Sequence, residues 1–139
     1  MSLKFLLDTN VVSELSRQKP DPKAEKKILA NFAVSALSSP TLEELAYGVA
    51  RLQVSPKQDM LSMWLEGIAS RFPILSYDEN AALWLGRERA RLNAKGITAP
   101  RTDGEIAAIA ISNGLTLVTR NTTDFKWFKG LKVENWFGG

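Results

Sequence analysis

The sequence predicts an α/β domain, a three-layer α/β/α arrangement around a mostly parallel central sheet of about five strands. Two observations carry this. Short apolar runs look buried on both faces, the habit of parallel strands, and helical periodicity fills the stretches between them. Size is the third: 139 residues without internal repeat, low-complexity tract or Gly/Ser linker suit a single domain over residues 1–139. A chain of that length can bury roughly two-thirds of its unfolded surface.

The elements follow in order. The run Leu3–Leu7 leads into Asp8-Thr9-Asn10, after which Val11–Arg17 reads as a helix. A second run, Val34–Leu37, is followed by Ser38-Ser39-Pro40 and then Thr41-Leu42-Glu43-Glu44. After Pro56, the residues Leu61, Leu65, Ile68 and Phe72 fall at i, i+4, i+7 and i+11, one stripe of a helix. The short Pro73–Leu75 gives a third strand, and Ala81, Leu85 and Leu92 stripe a helix from about Asp78 to Ala94. Ile106–Ile111 is apolar almost all round and reads as a buried helix. Leu115–Thr119 is a fourth strand running into Arg120-Asn121-Thr122-Thr123-Asp124, and Lys132–Glu134 is a weaker fifth. Strands separated by helices stack as layers.

Two zeros in the composition exclude whole chemistries. Without Cys there is no disulfide, thiol nucleophile or thiolate metal site. Without His there is no Ser-His-Asp triad, imidazole acid or base, or His-rich zinc site. Catalysis must rest on carboxylates, hydroxyls, amines and hard cations such as Mg²⁺ or Mn²⁺. The net charge of +3 permits an anionic partner without demanding one. The opening Met-Ser-Leu-Lys-Phe-Leu-Leu-Asp has no long apolar core, and no stretch approaches the roughly 20 apolar residues of a membrane span, so a cytoplasmic protein is expected.

Ligands of open parallel sheets bind outside the carboxyl ends of the strands. That is where the acids fall: Asp8, the Glu43-Glu44 pair, Asp124, and Asp103 at the opening of the buried helix. Taken singly, each is accounted for by helix capping. Asp8 or Asn10 would cap Val11–Arg17, Thr41-x-x-Glu44 and Thr102-x-x-Glu105 fit capping boxes, and Asn121 would cap the turn holding Asp124. Taken together they converge on one sheet edge in the inferred topology. Two like charges 4 Å apart repel by about 4 kcal/mol at an effective dielectric of ~20. A bound cation is the simpler neutraliser, because Mg²⁺ takes oxygen ligands and keeps several waters.

Four blocks carry a resemblance: Phe5-Leu-Leu-Asp-Thr-Asn10, Thr41-Leu-Glu-Glu-Leu-Ala-Tyr-Gly48, Asp103-Gly-Glu-Ile-Ala-Ala108 and Thr119-Arg-Asn-Thr-Thr-Asp-Phe125. In this order and spacing they resemble the PIN-domain ribonuclease family, more narrowly the VapC-type toxins of bacterial toxin–antitoxin pairs, over nearly the whole chain. The family's acids match Asp8, Glu44 rather than Glu43, Asp103 and Asp124, while Asn10, Thr119 and Asn121 match positions that support the site or contact phosphate. Glu105 reads as a capping residue. The resemblance implies cleavage of RNA dependent on Mg²⁺ or Mn²⁺, a small antitoxin whose extended segment fills the groove, and a homodimer. It makes Asp8, Asp103 and Asp124 metal ligands, with Glu44 either a further ligand or the group that orients the attacking water. In a chain without imidazole, in-line attack by metal-activated water is expected, leaving 5′-phosphate and 3′-hydroxyl ends.

For substrate contacts, Arg87, Arg91 and Lys95 lie at i, i+4 and i+8, with Arg101 close behind and Lys126, Lys129 and Lys132 near the C-terminus. They read either as phosphate contacts or as a solvated face on which Glu88 pairs Arg91. Trp64, Trp84, Trp127 and Trp136 read as core or interface residues, and the apolar helices between Pro56 and Leu92 as the dimer surface. A non-catalytic RNA- or protein-binding relative would lack one of the acids, and all are present. A Mg²⁺-binding receiver domain would need a second acid pair near the start and a Lys after a late strand. Here the late strand ends in Thr119-Arg120. No Gly-x-x-x-x-Gly-Lys or Gly-x-Gly-x-x-Gly supports a nucleotide-binding domain.

Overall fold

Along each central strand, neighbouring apolar residues serve opposite faces of the sheet, as the two-residue period of a strand requires. In the computed structural model, which describes residues 2–138, the strands are Phe5–Leu7 (β1), Ser35–Ser38 (β2), Ile74–Leu75 (β3), Thr116–Val118 (β4) and Val133–Glu134 (β5). They form one sheet in the order β3-β2-β1-β4-β5, every pair parallel. Leu6 registers with Ala36 and Leu117. All three enter the core shared with Leu85, Leu92, Ile106, Ile109, Phe125 and Phe128. Leu7, Leu37 and Val118 enter the other core, with Val11, Ile28, Leu45, Ile68, Phe72 and Trp136. Helices therefore cover both faces, giving the three layers.

The helices are Thr9–Val12 (α1), Pro22–Ala30 (α2), Ser39–Ala50 (α3), Pro56–Arg71 (α4), Glu79–Asn93 (α5) and Arg101–Ser112 (α6). The helix expected over Val11–Arg17 starts two residues earlier and tightens into a 3₁₀ turn, Ser13–Ser16. Helix α2 was not anticipated, although its start carries the usual signal: Asp21 accepts from the Ala24 N–H at 2.9 Å and Pro22 opens the first turn. Two expected capping boxes give way. Ser38, not Thr41, caps α3, accepting from the Thr41 N–H at 3.1 Å. Helix α6 starts after Pro100 without a side-chain cap, so Glu105 lies inside it and meets Arg101 at 3.3 Å.

The basic row on α5 also needs correction. This helix buries Ala81, Leu85, Leu92 and, among them, Glu88. Arg91 turns inward to that carboxylate, donating from Nε to Oε1 at 2.8 Å and from Nη2 to Oε2 at 2.7 Å. It also donates to the Trp127 carbonyl at 2.9 Å. Three of the five Arg91 N–H donors are thus committed, so the pairing with Glu88 is formed there, while Arg87 and Lys95 stay exposed. Of the tryptophans, Trp136 is fully buried and Trp64 and Trp84 pack against the two cores, whereas Trp127 is 46% exposed beneath Lys126. No helix among the described residues is long and apolar enough to cross a membrane.

Candidate acidic site at the switch point of the sheet

Strand β1 lies between β2 and β4, so the chain's progression across the sheet reverses at β1/β4. In a parallel sheet the reversal opens a crevice at the carboxyl ends of those strands. Asp8 leaves β1 and Thr119 leaves β4 at this point. The buried Thr119 hydroxyl donates to Asp8 Oδ2 at 2.8 Å, and Asp8 Oδ1 accepts from the Thr9 N–H at 2.8 Å. Asp8 thus caps α1 while standing at the carboxyl end of β1, where the crevice opens.

Around Asp8 a polar frame fixes the remaining groups. Asn10 does not cap. Its Oδ1 accepts from the Arg120 N–H at 3.0 Å, and its Nδ2 reaches Thr119 Oγ1 and Asp8 Oδ2, each at 3.4 Å. Asn121 contributes its backbone N–H to Thr119 Oγ1 at 3.1 Å and makes no side-chain cap. Thr9 was given no role by sequence reasoning, yet its hydroxyl donates to Glu44 Oε1 at 2.5 Å, with Thr41 Oγ1 3.3 Å away. The Asp-Thr-Asn triplet was the available signal, but only the fold shows that α3 crosses above it. Asp103, in the first turn of α6, is half-buried, and Asp124 projects from the exposed 3₁₀ turn Thr122–Phe125.

Electrostatics show that these acids share one neighbourhood. Burial pushes the Asp8 carboxyl above its usual value, and the charges of Glu44 and Asp124 push it further, partly offset by the Thr119 and Thr9 hydrogen bonds. Asp103 is pushed up to about 6 by burial first, then by Asp8, Asp124 and Glu44. Four carboxylates from four chain segments therefore feel one another, and none has a basic partner among the described residues. The ion pairs among the described residues join Arg17 to Glu14, Arg91 to Glu88 and Arg101 to Glu105. No three acids among the described residues close on a single point at metal-ligand distance. The donor set still fits Mg²⁺ or Mn²⁺, because Mg²⁺ is usually held by one or two carboxylates and retains its remaining waters.

The raised Asp103 gives a stability signature. Folded Asp103 holds its proton to about pH 6, whereas the unfolded chain releases it near 3.8. Between those values the folded state binds more protons, so stability falls as pH rises through that window. After discounting for the group's exposure, the loss is about 1 kcal/mol. Melting temperatures from pH 4 to 7 in chelator should decline for the wild type and lose most of that slope in Asp103→Asn. An equal slope in both would contradict the coupling.

A parallel sheet with mutually coupled carboxylates at its switch point, in a chain lacking imidazole and thiol, defines a three-layer α/β domain with an acidic crevice. The chain belongs to the PIN domain family, whose sequence profile matches residues 5–129. It is 38% identical over 134 residues to the tRNA(fMet)-specific endonuclease VapC of Salmonella typhimurium, covering 96% of this chain and 98% of that protein. Among solved structures, FitAcB from Neisseria gonorrhoeae superposes with a TM-score of 0.86 at 34% identity, covering 94% of this chain and 96% of that one. DNA-bound VapBC from Salmonella typhimurium superposes with a TM-score of 0.83 at 35% identity, covering 96% and 98%.

Proposed function

We propose that this ribonuclease hydrolyses RNA phosphodiester bonds at the Asp8–Glu44–Asp103–Asp124 cluster with Mg²⁺ or Mn²⁺, as the toxin of a toxin–antitoxin pair. The observation that carries the reading is the gathering of these acids, mutually coupled and without basic partners, at the switch point of a parallel sheet. The cation, when bound, supplies activation of a water and neutralisation of phosphoryl charge without imidazole.

The chain's own residues do the rest. Asp8, Asp103 and Asp124 would hold the cation, and Thr119 fixes the rotamer of Asp8 through its 2.8 Å bond. Thr9 engages one oxygen of Glu44, which leaves the other to join the metal or to orient the attacking water. Asn10 and Asn121 stand beside the cluster as supports or phosphate contacts, and Arg87, exposed on α5, serves as a contact to the RNA backbone farther along the strand. The proposed partners are a small antitoxin and a second copy of the chain in a cytoplasmic complex, on the strength of the VapBC and FitAcB likenesses.

Labelled RNA incubated with purified protein tests the reading, with the tRNA(fMet) named for the Salmonella relative as the first substrate. Cleavage is expected with Mg²⁺ or Mn²⁺ and should cease in chelator, and the products should carry 5′-phosphate and 3′-hydroxyl ends. Cleavage that persists in chelator, or 2′,3′-cyclic phosphate ends, would overturn it.

A further inference from the structure

A cavity of about 200 Å³ lies between α5 and α6, next to the acidic cluster but not part of it. Its floor is apolar, made by Ala82, Leu85 and Ala99, and its rim carries Tyr77, Arg89 and Arg101. Gly104 packs closely against Leu85: a Cβ there would sit 3.0 Å from Leu85 Cδ1, so a larger residue would push that side chain aside. Gly104 follows Asp103 directly, and Arg101 lies one turn before it on the same helix. The cavity therefore begins where the acidic site ends.

Its chemistry is specific. Arg89 has no ion-pair or hydrogen-bond partner among the described residues, and Arg101 has only the exposed 3.3 Å contact with Glu105. An apolar slot ringed by guanidinium groups suits a flat aromatic body that carries negative charge, since guanidinium both binds phosphate and stacks on rings. The volume lies below the ~300–1,000 Å³ typical of drug-sized ligands, which suits one base rather than a whole nucleotide. Resting on the RNA-cleavage reading, the geometry points to a nucleotide subsite. An unpaired base flanking the scissile phosphate inserts between α5 and α6, its own phosphate meets Arg89 and Arg101, and the strand is thereby registered on Asp103.

Gly86 supplies the test. It lines the cavity in mid-helix, and a Cβ added there meets nothing within 4 Å. Gly86→Leu therefore adds bulk at the cavity wall without a clash while favouring the helix, so the variant should fold. The full chain in chelator is titrated with adenosine 5′-monophosphate, following the Gly86 and Gly104 amide resonances, with inorganic phosphate as the control. Saturable shifts with the nucleotide and none with phosphate are expected, weakened roughly tenfold or more in Gly86→Leu and in Arg89→Gln. With metal present, the KM for single-stranded RNA should rise by about the same factor while kcat changes little, the pattern of lost uniform binding. A folded Gly86→Leu with unchanged binding and KM overturns the proposal. So does phosphate shifting the same amides as strongly, or Gly86→Leu altering the oligomeric mass without altering nucleotide binding, which would make a second copy the occupant. If nucleotide binds in chelator but no RNA is cut with metal, the cleavage reading fails and the subsite stands.

Discussion

Replacing Asp8 with asparagine is expected to lower RNA cleavage about a thousandfold while leaving the melting temperature in chelator unchanged or higher. The rate effect follows from the proposed role: if Asp8 holds the cation, losing its charge forfeits about 4 kcal/mol of transition-state stabilisation. The stability effect follows from burial. Asp8 is 7% exposed and its carboxyl is pushed above the usual range by desolvation, so its charged form disfavours the folded state at neutral pH. Asparagine keeps the oxygen that accepts from the Thr9 N–H, so the cap survives, and the lost Thr119 bond is set against the relief of a buried charge. Added Mg²⁺ should then raise the melting temperature of the wild type and not of Asp8→Asn. A folded Asp8→Asn that cleaves at the wild-type rate would remove Asp8 from the mechanism.

The layout was legible because a parallel sheet writes its strands as apolar runs and places chemistry just beyond them. Each of the five runs contains or overlaps its strand, and the disagreements are ends that fray by one or two residues. Helix α2 escaped because only Ala24 and Ile28 of its nine residues are buried, too few to mark a stripe. At the site, the chain segments that meet were readable while their local bonds were not. Thr9 lies 35 positions from Glu44 and Thr119 lies 111 from Asp8, and no local rule reports such pairs. The cavity beside Asp103 was invisible for a related reason: Arg89 and Gly86 look like an ordinary exposed helix face until α6 is laid against it.

Capping and a place at the crevice do not compete. Asp8 has both, because a strand end that opens a helix is where a parallel sheet needs a cap and where its crevice lies. For Arg91 the structural reading prevailed, since a buried carboxylate one turn away makes a stronger claim on a guanidinium than solvent does.

That buried carboxylate is where the largest stability loss is expected. Glu88 accepts two bonds from Arg91 and one from the Lys129 N–H at 2.7 Å, and Arg91 also holds the Trp127 carbonyl. Together they tie α5 to the segment that follows the Asp124 turn. Glu88→Ala leaves the Lys129 N–H and most of the guanidinium without partners. Breaking a buried pair costs about 3–5 kcal/mol, but the Arg91 side chain is 31% exposed and partly rehydrates, so about 2 kcal/mol is expected. For a domain of this size that lowers the melting temperature by about 6 °C. Glu88→Met combined with Arg91→Leu should recover much of the loss, because it removes both charges together. The pH dependence is opposite in sign to that of Asp103. The Arg91 bonds hold the Glu88 carboxyl below its usual 4.5, so its stabilisation is present above that value and is lost as pH falls through the lower folded value. Acid should therefore destabilise the wild type more than Glu88→Ala. Cleavage should fall about tenfold in Glu88→Ala as well, because the tied segment directly follows the Asp124 turn and a loosened support typically costs 10–100-fold. An unchanged rate in the destabilised variant would show that the Asp124 turn is held by Phe125 and Phe128 alone.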